Sequence, residues 1–324
     1  MANEYTLLDY ERTAPDNLNK AIARTWREAS PIMELLRFKL NPALSQKILR
    51  YNSLNAPTWR NIGEAFQQSK IEPTPIEERL HFMGGKIEVP YEYVKAPSLN
   101  GDPRAIQTEA QMKSAAFGFN DAFFNGDPTS DPKTLVGMWY RIKNDLGSGQ
   151  YFDANLDVSD DTAVTTWYHK MFDRVDRLIS LVDGQPSQKV LFCGDTMFRR
   201  INSALRQANM NFTAELAGKQ YLTYGMGGPK IVNVGYKYDQ STQILGTAEN
   251  GITAQSGGTD SSLYCVAFGD PYVMGWSQEL PNADDVGLTE DRVNYLTVVR
   301  ASFGIFMTSP RSAALAYGWT AADS

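Results

Sequence analysis

Residues 100–126, NGDPRAIQTEAQMKSAAFGFNDAFFNG, constrain the fold of this 324-residue chain more than any other stretch. Asp102 is placed to cap the first amides of a helix, and Pro103 suits the first helical position, where no amide bond is lost. Asn125-Gly126 supplies a left-handed stop. Between those marks Ala105, Met112, Ala116, Phe119 and Phe123 recur at helical spacing, which predicts one apolar face. About twenty-one residues at ~1.5 Å each make a rod of roughly 31 Å. Gly118 weakens the rod locally and marks a place for another backbone to come close. A rod of this length is either a core helix of a globular enzyme or a strut.

The flanks differ from one another. Leu18, Ile22, Trp26, Ala29 and Met33 keep a three-to-four spacing, so a helix is predicted from about Asp16, interrupted at Ser30-Pro31. Trp26 on its stripe packs on its own domain or reaches a neighbour. Residues 51–99 carry Pro57, Pro73, Pro75, Pro90 and Pro97 with Gly63, Gly84 and Gly85, too much punctuation for a long helix. Short strands are predicted at 58–62, 80–83 and 86–94 among many mixed charges. So long an excursion with so little continuous apolar content reads as an extended β-hairpin arm.

After the rod, GMWYRI within 135–146 predicts a buried strand or turn packed on it, and 147–161 reads as a loop. Val164, Trp167, Tyr168, Met171, Phe172, Val175, Leu178, Ile179 and Val182 predict an amphipathic helix, capped by Asp160 or Asp161 and ended by Asp183-Gly184-Gln185-Pro186. A buried strand at 189–193 and a helix over about 195–207 follow. Further strands are predicted at 231–234, 243–246, 263–268, 272–278, 292–300 and 303–308, with Pro310 and small residues closing the chain. The mixture predicts an α+β fold, and no internal repeat is evident.

Reactive chemistry is thin. With 31 basic and 37 acidic residues the net charge is -6, which argues against a dedicated nucleic-acid binder. No apolar run reaches a membrane span, and the first residues lack the pattern of a secretory signal. Cys193 and Cys265 sit in apolar surroundings and read as buried thiols in a reducing cytosol, without the context of a nucleophile. His81 and His169 lack metal-ligand spacing, so neither a metal nor a cofactor is expected. The glycine loop GMGGPK, residues 225–230, precedes a strand rather than a helix, and Pro229 removes an amide donor, so a plain turn is favoured over a phosphate cradle. Asp284, Asp285, Glu290 and Asp291 lack the glycine-centred spacing of a calcium loop and read as a solvated loop or a weak cation contact between subunits.

The order of arm, hairpin, long capped helix, α+β domain and terminal β segment resembles the major capsid proteins of tailed bacteriophages, the fold named for phage Hong Kong 97. AFFNGDPTSDPKTLVGMWYRI (122–142) looks like the family's post-spine segment. The run 166–205, with QKVLFCGDTMFRRI, is similar to its axial domain, and FGIFMTSPRSAALAYGW to its final strand. The resemblance implies an N-terminal arm over 1–50, an extended loop over 51–99 and a peripheral domain over 100–161 with the spine helix at 103–125. It then implies an axial domain over 162–268 and a return to the peripheral domain over 269–324.

It implies a non-enzymatic shell subunit that tiles hexamers and pentamers into an icosahedral head around double-stranded DNA, without sequence-specific binding. Such a shell is a virion part assembled in the bacterial cytoplasm. Because the chain starts at the arm, without the charged scaffolding segment of many relatives, a separate scaffolding protein is expected, with portal and decoration proteins as further partners. Candidate subunit-interface residues are Trp26, Trp59, Arg60, Phe66, Lys70, Arg79 and Lys86. Lys70 and Lys86 lie where some relatives crosslink, but no asparagine partner is identified here. The rival readings are an encapsulin-type compartment of similar fold and a two-domain cytosolic enzyme using the 225–230 loop and Lys230.

Overall fold

The computed structural model describes residues 4–14, 17–51, 59–65, 71–95, 102–158, 164–216, 219–245 and 260–320. Strand β1 (Glu4–Tyr5) leads into helices α1 (Leu7–Thr13), α2 (Asn17–Ala29) and α3 (Pro31–Leu35). Next come β2 (Phe38–Leu40), β3 (Ser45–Arg50), β4 (Thr74–Arg79), β5 (His81–Pro90) and the short α4 (Tyr91–Lys95). The long helix α5 (Pro103–Asn125) precedes a single turn, α6 (Met138–Tyr140), that continues as a π-helix (Arg141–Leu146). Then follow β6 (Tyr151–Asp157), α7 (Val164–Leu181), β7 (Lys189–Cys193), α8 (Asp195–Gln207), β8 (Asn211–Leu216), β9 (Lys219–Tyr224) and β10 (Lys230–Asn233). The chain closes with β11 (Asp260–Ala267), β12 (Val273–Ser277), β13 (Asn282–Leu288), β14 (Asn294–Met307) and β15 (Ala313–Thr320).

These strands form a six-stranded sheet, ordered β1-β2-β12-β14-β13 with β5 also on β14, a mixed seven-stranded sheet, ordered β6-β15-β11-β7-β10-β9-β8, and a separate ribbon, β3-β4. The long helix starts as its sequence requires: Asp102 accepts from the Arg104 amide at 2.9 Å and Pro103 takes the first position. Its buried stripe is Met112, Ala116, Phe119 and Phe123, while Ala105 is exposed. Phe119 meets Phe303 of β14 at 4.8 Å between ring centroids, and Trp26 of α2 sits 5.5 Å from the same ring. The rod and α2 therefore pack side by side on the six-stranded sheet. Phe124 carries the packing on to Phe192 and Tyr264 of the seven-stranded sheet, at 5.4 and 5.0 Å.

Both glycines of the rod act differently from expectation. Gly126 has φ −60° and is extended, not left-handed. Its missing side chain matters because a Cβ there would lie 1.9 Å from the Leu135 carbonyl oxygen, where the chain doubles back and the Gly137 amide donates to the Gly126 carbonyl at 2.9 Å. At Gly118 no backbone approaches; a Cβ would meet the Met83 methyl at 3.8 Å, an ordinary contact.

Other expectations change for physical reasons. GMWYRI is helical, not a strand, because the π-turn lets Arg141 reach back to the Val136 carbonyl at 3.1 Å. Residues 292–300 and 303–308 fuse into the single strand β14, since Ala301 and Ser302 between them stay paired with β5, and Gly304 makes room in it. The Trp276 indole fills that space, and a Cβ on Gly304 would fall 1.7 Å from its Nε1. Overpacking of this kind costs ~1–3 kcal/mol, so Gly304→Ala is expected to lower the unfolding free energy, read by urea denaturation, by that amount. The alanine-rich ending is a strand: β15 pairs β11 and β6 in the seven-stranded sheet, so the terminal segment does not return wholly to the sheet of β12 and β14. The expected strand at 243–246 is an isolated bridge between Tyr236 and Gln243, with 246 outside the described residues. The cap at Asp160 or Asp161 also lies outside them.

Candidate functional site: the hairpin arm and its root

β3 and β4 pair antiparallel with Ile48 opposite Ile76 and Lys47 opposite Glu77. Alternation along strands puts Ile48, Arg50, Ile76 and Glu78 on one face and Lys47, Leu49, Glu77 and Arg79 on the other. The first face turns to the body, where Ile48 and Ala43 pack on Leu80, Met274, Trp276 and Phe306. This cluster lies on the face of the six-stranded sheet away from α5. The ribbon begins at Ser45, inside the stretch expected as the N-terminal arm.

The far end of the expected arm belongs elsewhere. β5 pairs along β14 from Pro90 opposite Asn294 to His81 opposite Phe303, so 81–90 is part of the main sheet. Residues 91–94, expected as strand, form α4: Pro90 ends the pairing, and Tyr91 turns to stack on Tyr295 at 6.0 Å. Of the expected strand at 58–62, residues 59–61 are irregular and 62–63 a turn, and 58 lies outside the described residues. The arm proper is therefore the ribbon and the loop it carries between Arg50 and Thr74.

At its root the arm is clamped by charge. Arg141 meets Glu78 with both guanidinium nitrogens, Nη2 at 2.8 Å from Oε2, and the same Nη2 donates to the Ile305 carbonyl at 3.1 Å. Arg50 donates from Nε and Nη2 to the Met307 carbonyl, at 3.2 and 3.0 Å, and from Nη1 to the Asp145 carbonyl at 3.4 Å. Arg50, Glu78 and Arg141 are all buried. Burial raises the Asp145 carboxyl above its usual range, opposed by Arg141 and Arg50, and lowers Arg50. One strand of the ribbon thus brings an arginine and the other a glutamate to the same π-turn and strand end.

His81 stands beside this root, with its Nδ1 3.2 Å from the Lys133 carbonyl. Burial holds its pKa below the ordinary 6.5. A depressed histidine favours the fold above the unfolded value, and this contribution is lost as pH falls from about 6.5 through the folded value. The wild-type chain is therefore expected to lose more stability than His81→Asn between pH 7 and pH 5, read by urea unfolding at each pH.

Among the described residues beyond and around the root, several large apolar side chains are uncovered. Trp59 and Ile62 are fully exposed, and Leu44, Leu49 and Phe82 are more than half exposed around the ribbon. Arg60 donates to the Glu64 carbonyl at 3.0 Å, and the Glu64 carboxylate caps the Asn61 amide at 2.9 Å, so the turn holds its own shape. Arg79 is exposed beside Glu77, and Lys86 lies on the outer face of β5 opposite Val298. Phe66 and Lys70 lie outside the described residues.

Trp26 does not belong with this surface. It is 0 % exposed, its Nε1 donates to Met112 Sδ at 3.2 Å, and its ring packs on Phe119 and Phe303. Its own chain buries it, because the α2 stripe fits the rod. Leu44, Leu49, Ile62 and Phe82 escaped the sequence reading.

The other candidate chemistries resolve as structure. Residues 225–230 form the turn between β9 and β10, closed by the Tyr224 amide on the Pro229 carbonyl at 2.9 Å, and Lys230 donates to the Ser187 carbonyl at 3.2 Å. Cys193 and Cys265 are buried free thiols, and burial pushes both up, Cys265 to about 12. His169 is exposed on α7 beside Tyr168. Asp284 pairs with Arg300 at 3.5 Å, Asp285 pairs with Arg104, and Asp291 accepts from the Thr289 hydroxyl. Among the described residues no cluster of His, Cys, Asp or Glu could hold a metal, and no helix is long and apolar enough to cross a membrane.

Comparison by sequence finds no matching family model and no matching curated protein. Comparison by structure does. The SrpI encapsulin of Synechococcus elongatus PCC 7942 superposes with a TM-score of 0.61 at 12 % identity, over 96 % of this chain and 92 % of that one. The capsid of the empty GTA particle gives 0.60 at 12 % identity over 89 % and 90 %. The capsid of Myoviridae phage XM1 gives 0.55 at 10 % identity over 87 % and 89 %. The chain has a capsid-protein fold. Within that fold, which is α+β, the root of the arm is packed on its own chain while Trp59 and Ile62 stand uncovered.

Proposed function

We propose that this chain is the major capsid protein of a tailed double-stranded DNA bacteriophage, forming hexamers and pentamers of an icosahedral head in the manner of the Hong Kong 97 family. The observation that carries the reading is the arm: a turn presenting Trp59 and Ile62 fully exposed, on a ribbon whose root is bolted to a subunit of capsid fold. Two large apolar side chains as exposed as these gain ~1.5–3 kcal/mol each on burial. A neighbouring subunit offers that burial. Summed over every arm, contacts that are individually weak close a stable shell. Arg60, Arg79 and Lys86, with Phe66 and Lys70, would set register between neighbours more than add affinity. In this reading α5 with the six-stranded sheet is the peripheral part and the seven-stranded sheet the axial part. The subunit works without catalysis or cofactor; a scaffolding protein, portal and decoration proteins are its partners, and it encloses DNA without reading its sequence.

An encapsulin-type compartment is the second reading, favoured by the 0.61 superposition on SrpI. Particles isolated from native cells through this chain and treated with nuclease separate the two. Protected DNA of genome length is the expected content. Particles that hold one folded enzyme and no DNA would replace the phage reading with the compartment.

A further inference from the structure

Strands β9 and β10 are neighbours in the seven-stranded sheet, yet they diverge within it. β9 pairs with β8 along its whole length, Lys219 to Tyr224, and β10 pairs with β7 along its whole length, Lys230 to Asn233. Between β9 and β10, among the described residues, only Thr223–Lys230 and Leu222–Ile231 are paired. Successive residues of a strand turn their backbone groups to opposite sides. Tyr224 donates its amide to the Pro229 carbonyl, on the β10 side, so Leu222 and Gln220 face β10 as well. Val234 donates to the Cys193 carbonyl of β7, so Asn233 and Ile231 face β9. Gln220 and Asn233 are therefore the next hydrogen-bonded pair due after Leu222–Ile231, and that pair is not made. A cavity of about 240 Å³ opens at this fork, and both residues line it together with Pro31, Phe198, Leu222 and Ile231.

The fork has a cause in the N-terminal helices. Glu34 of α3 accepts from Lys219 Nζ at 2.9 Å and from the Tyr221 hydroxyl at 2.6 Å, and Lys219 also reaches the Arg27 carbonyl at 3.4 Å. The start of β9 is thus tied to α2 and α3 instead of to β10. Charge at the fork is answered within the chain, Glu34 by Lys219 and Glu28 at the rim by Arg24 at 2.9 Å. What the fork leaves open is strand edge and apolar surface. Open strand edges are the template on which a further extended chain adds.

We propose that the fork takes an extended segment of a partner polypeptide. Its main chain pairs with Gln220 and Asn233, and an uncharged apolar side chain fills the space beside Phe198, Leu222 and Ile231. An apolar small molecule would use the side-chain surface alone and leave both strand edges unmet, whereas a peptide meets them with its own amides and carbonyls. The inference stands apart from the shell reading, because the fork is complete within one subunit.

The test uses the purified full chain and calorimetric titration with acetylated alanyl-leucyl-alaninamide, with the same tripeptide methylated at its backbone nitrogens, and with isoamyl alcohol. Saturable binding of the tripeptide at about millimolar concentration is expected. The methylated form, which keeps the side chains and loses the donors, should bind about tenfold weaker. Hydrogen exchange locates the contact. In the free chain the amides of Gln220 and Asn233 should exchange faster than those of Leu222 and Ile231, and saturating tripeptide should slow them about tenfold. No saturable binding of the tripeptide, equal binding of its methylated form, or binding that leaves both amides unprotected would overturn the proposal. Isoamyl alcohol binding as tightly as the tripeptide would overturn the polypeptide as occupant. None of these results depends on whether shells form.

Discussion

Glu78→Gln is expected to lower the stability of the subunit by ~3–5 kcal/mol, the cost of removing one partner from a buried ion pair. The carboxylate faces Arg141 directly, and Arg50 is buried in the same root. Without it, Arg141 keeps its bonds to the Val136 and Ile305 carbonyls but loses its neutralising charge. Glutamine retains the shape and one acceptor, so the loss reads the charge rather than a cavity. Glu78→Met combined with Arg141→Met should recover much of the loss, because replacing a buried pair by apolar residues of similar size is often near neutral. Urea unfolding of the wild type, Glu78→Met, Arg141→Met and the double variant measures the coupling directly. A Glu78→Gln midpoint equal to the wild type would mean that the arm's root is not held by this pair.

The second large effect concerns assembly. Replacing both Trp59 and Ile62 by aspartate is expected to leave a subunit that unfolds as cooperatively as the wild type but forms no closed shell. Both side chains are fully exposed on the subunit, so its core does not lose them. Each arm would lose ~1.5–3 kcal/mol per side chain and would have to bury charge as well. That deficit recurs at every copy, and multivalent closure magnifies it. Sedimentation of the variant beside the wild type under the same conditions gives the answer. Shells of normal yield would remove the arm's tip from the interface.

Some of this was readable from residues and some was not. The start of the rod was, since Asp102 and Pro103 act locally. Its end was misread because Asn125-Gly126 signals a left-handed turn, whereas Gly126 serves a crossing with Leu135 that only the folded chain brings together. Trp26 was ambiguous for a reason of principle: an amphipathic stripe looks the same whether its partner is Phe119 of its own chain or a neighbour. The single strand β14 reads as two because Ala301 and Ser302 carry little strand signal, while in the sheet both stay paired with β5. β15 escaped because alanines carry little strand signal. Of the ribbon only β4 falls within 51–99, and its root was not legible, since Glu78 and Arg141 stand 63 positions apart. Ile62 was missed because a single apolar residue among polar neighbours looks ordinary.

The most direct measurement of the central claim is to express the full chain, with a candidate scaffolding protein in a parallel culture, and pass the lysate over a velocity gradient. Fractions are then imaged by electron microscopy. Closed icosahedral shells, or rings of five and six subunits, are the expected result. A folded monomer that stays monomeric in both cultures would contradict the account and leave the exposed arm without its neighbour.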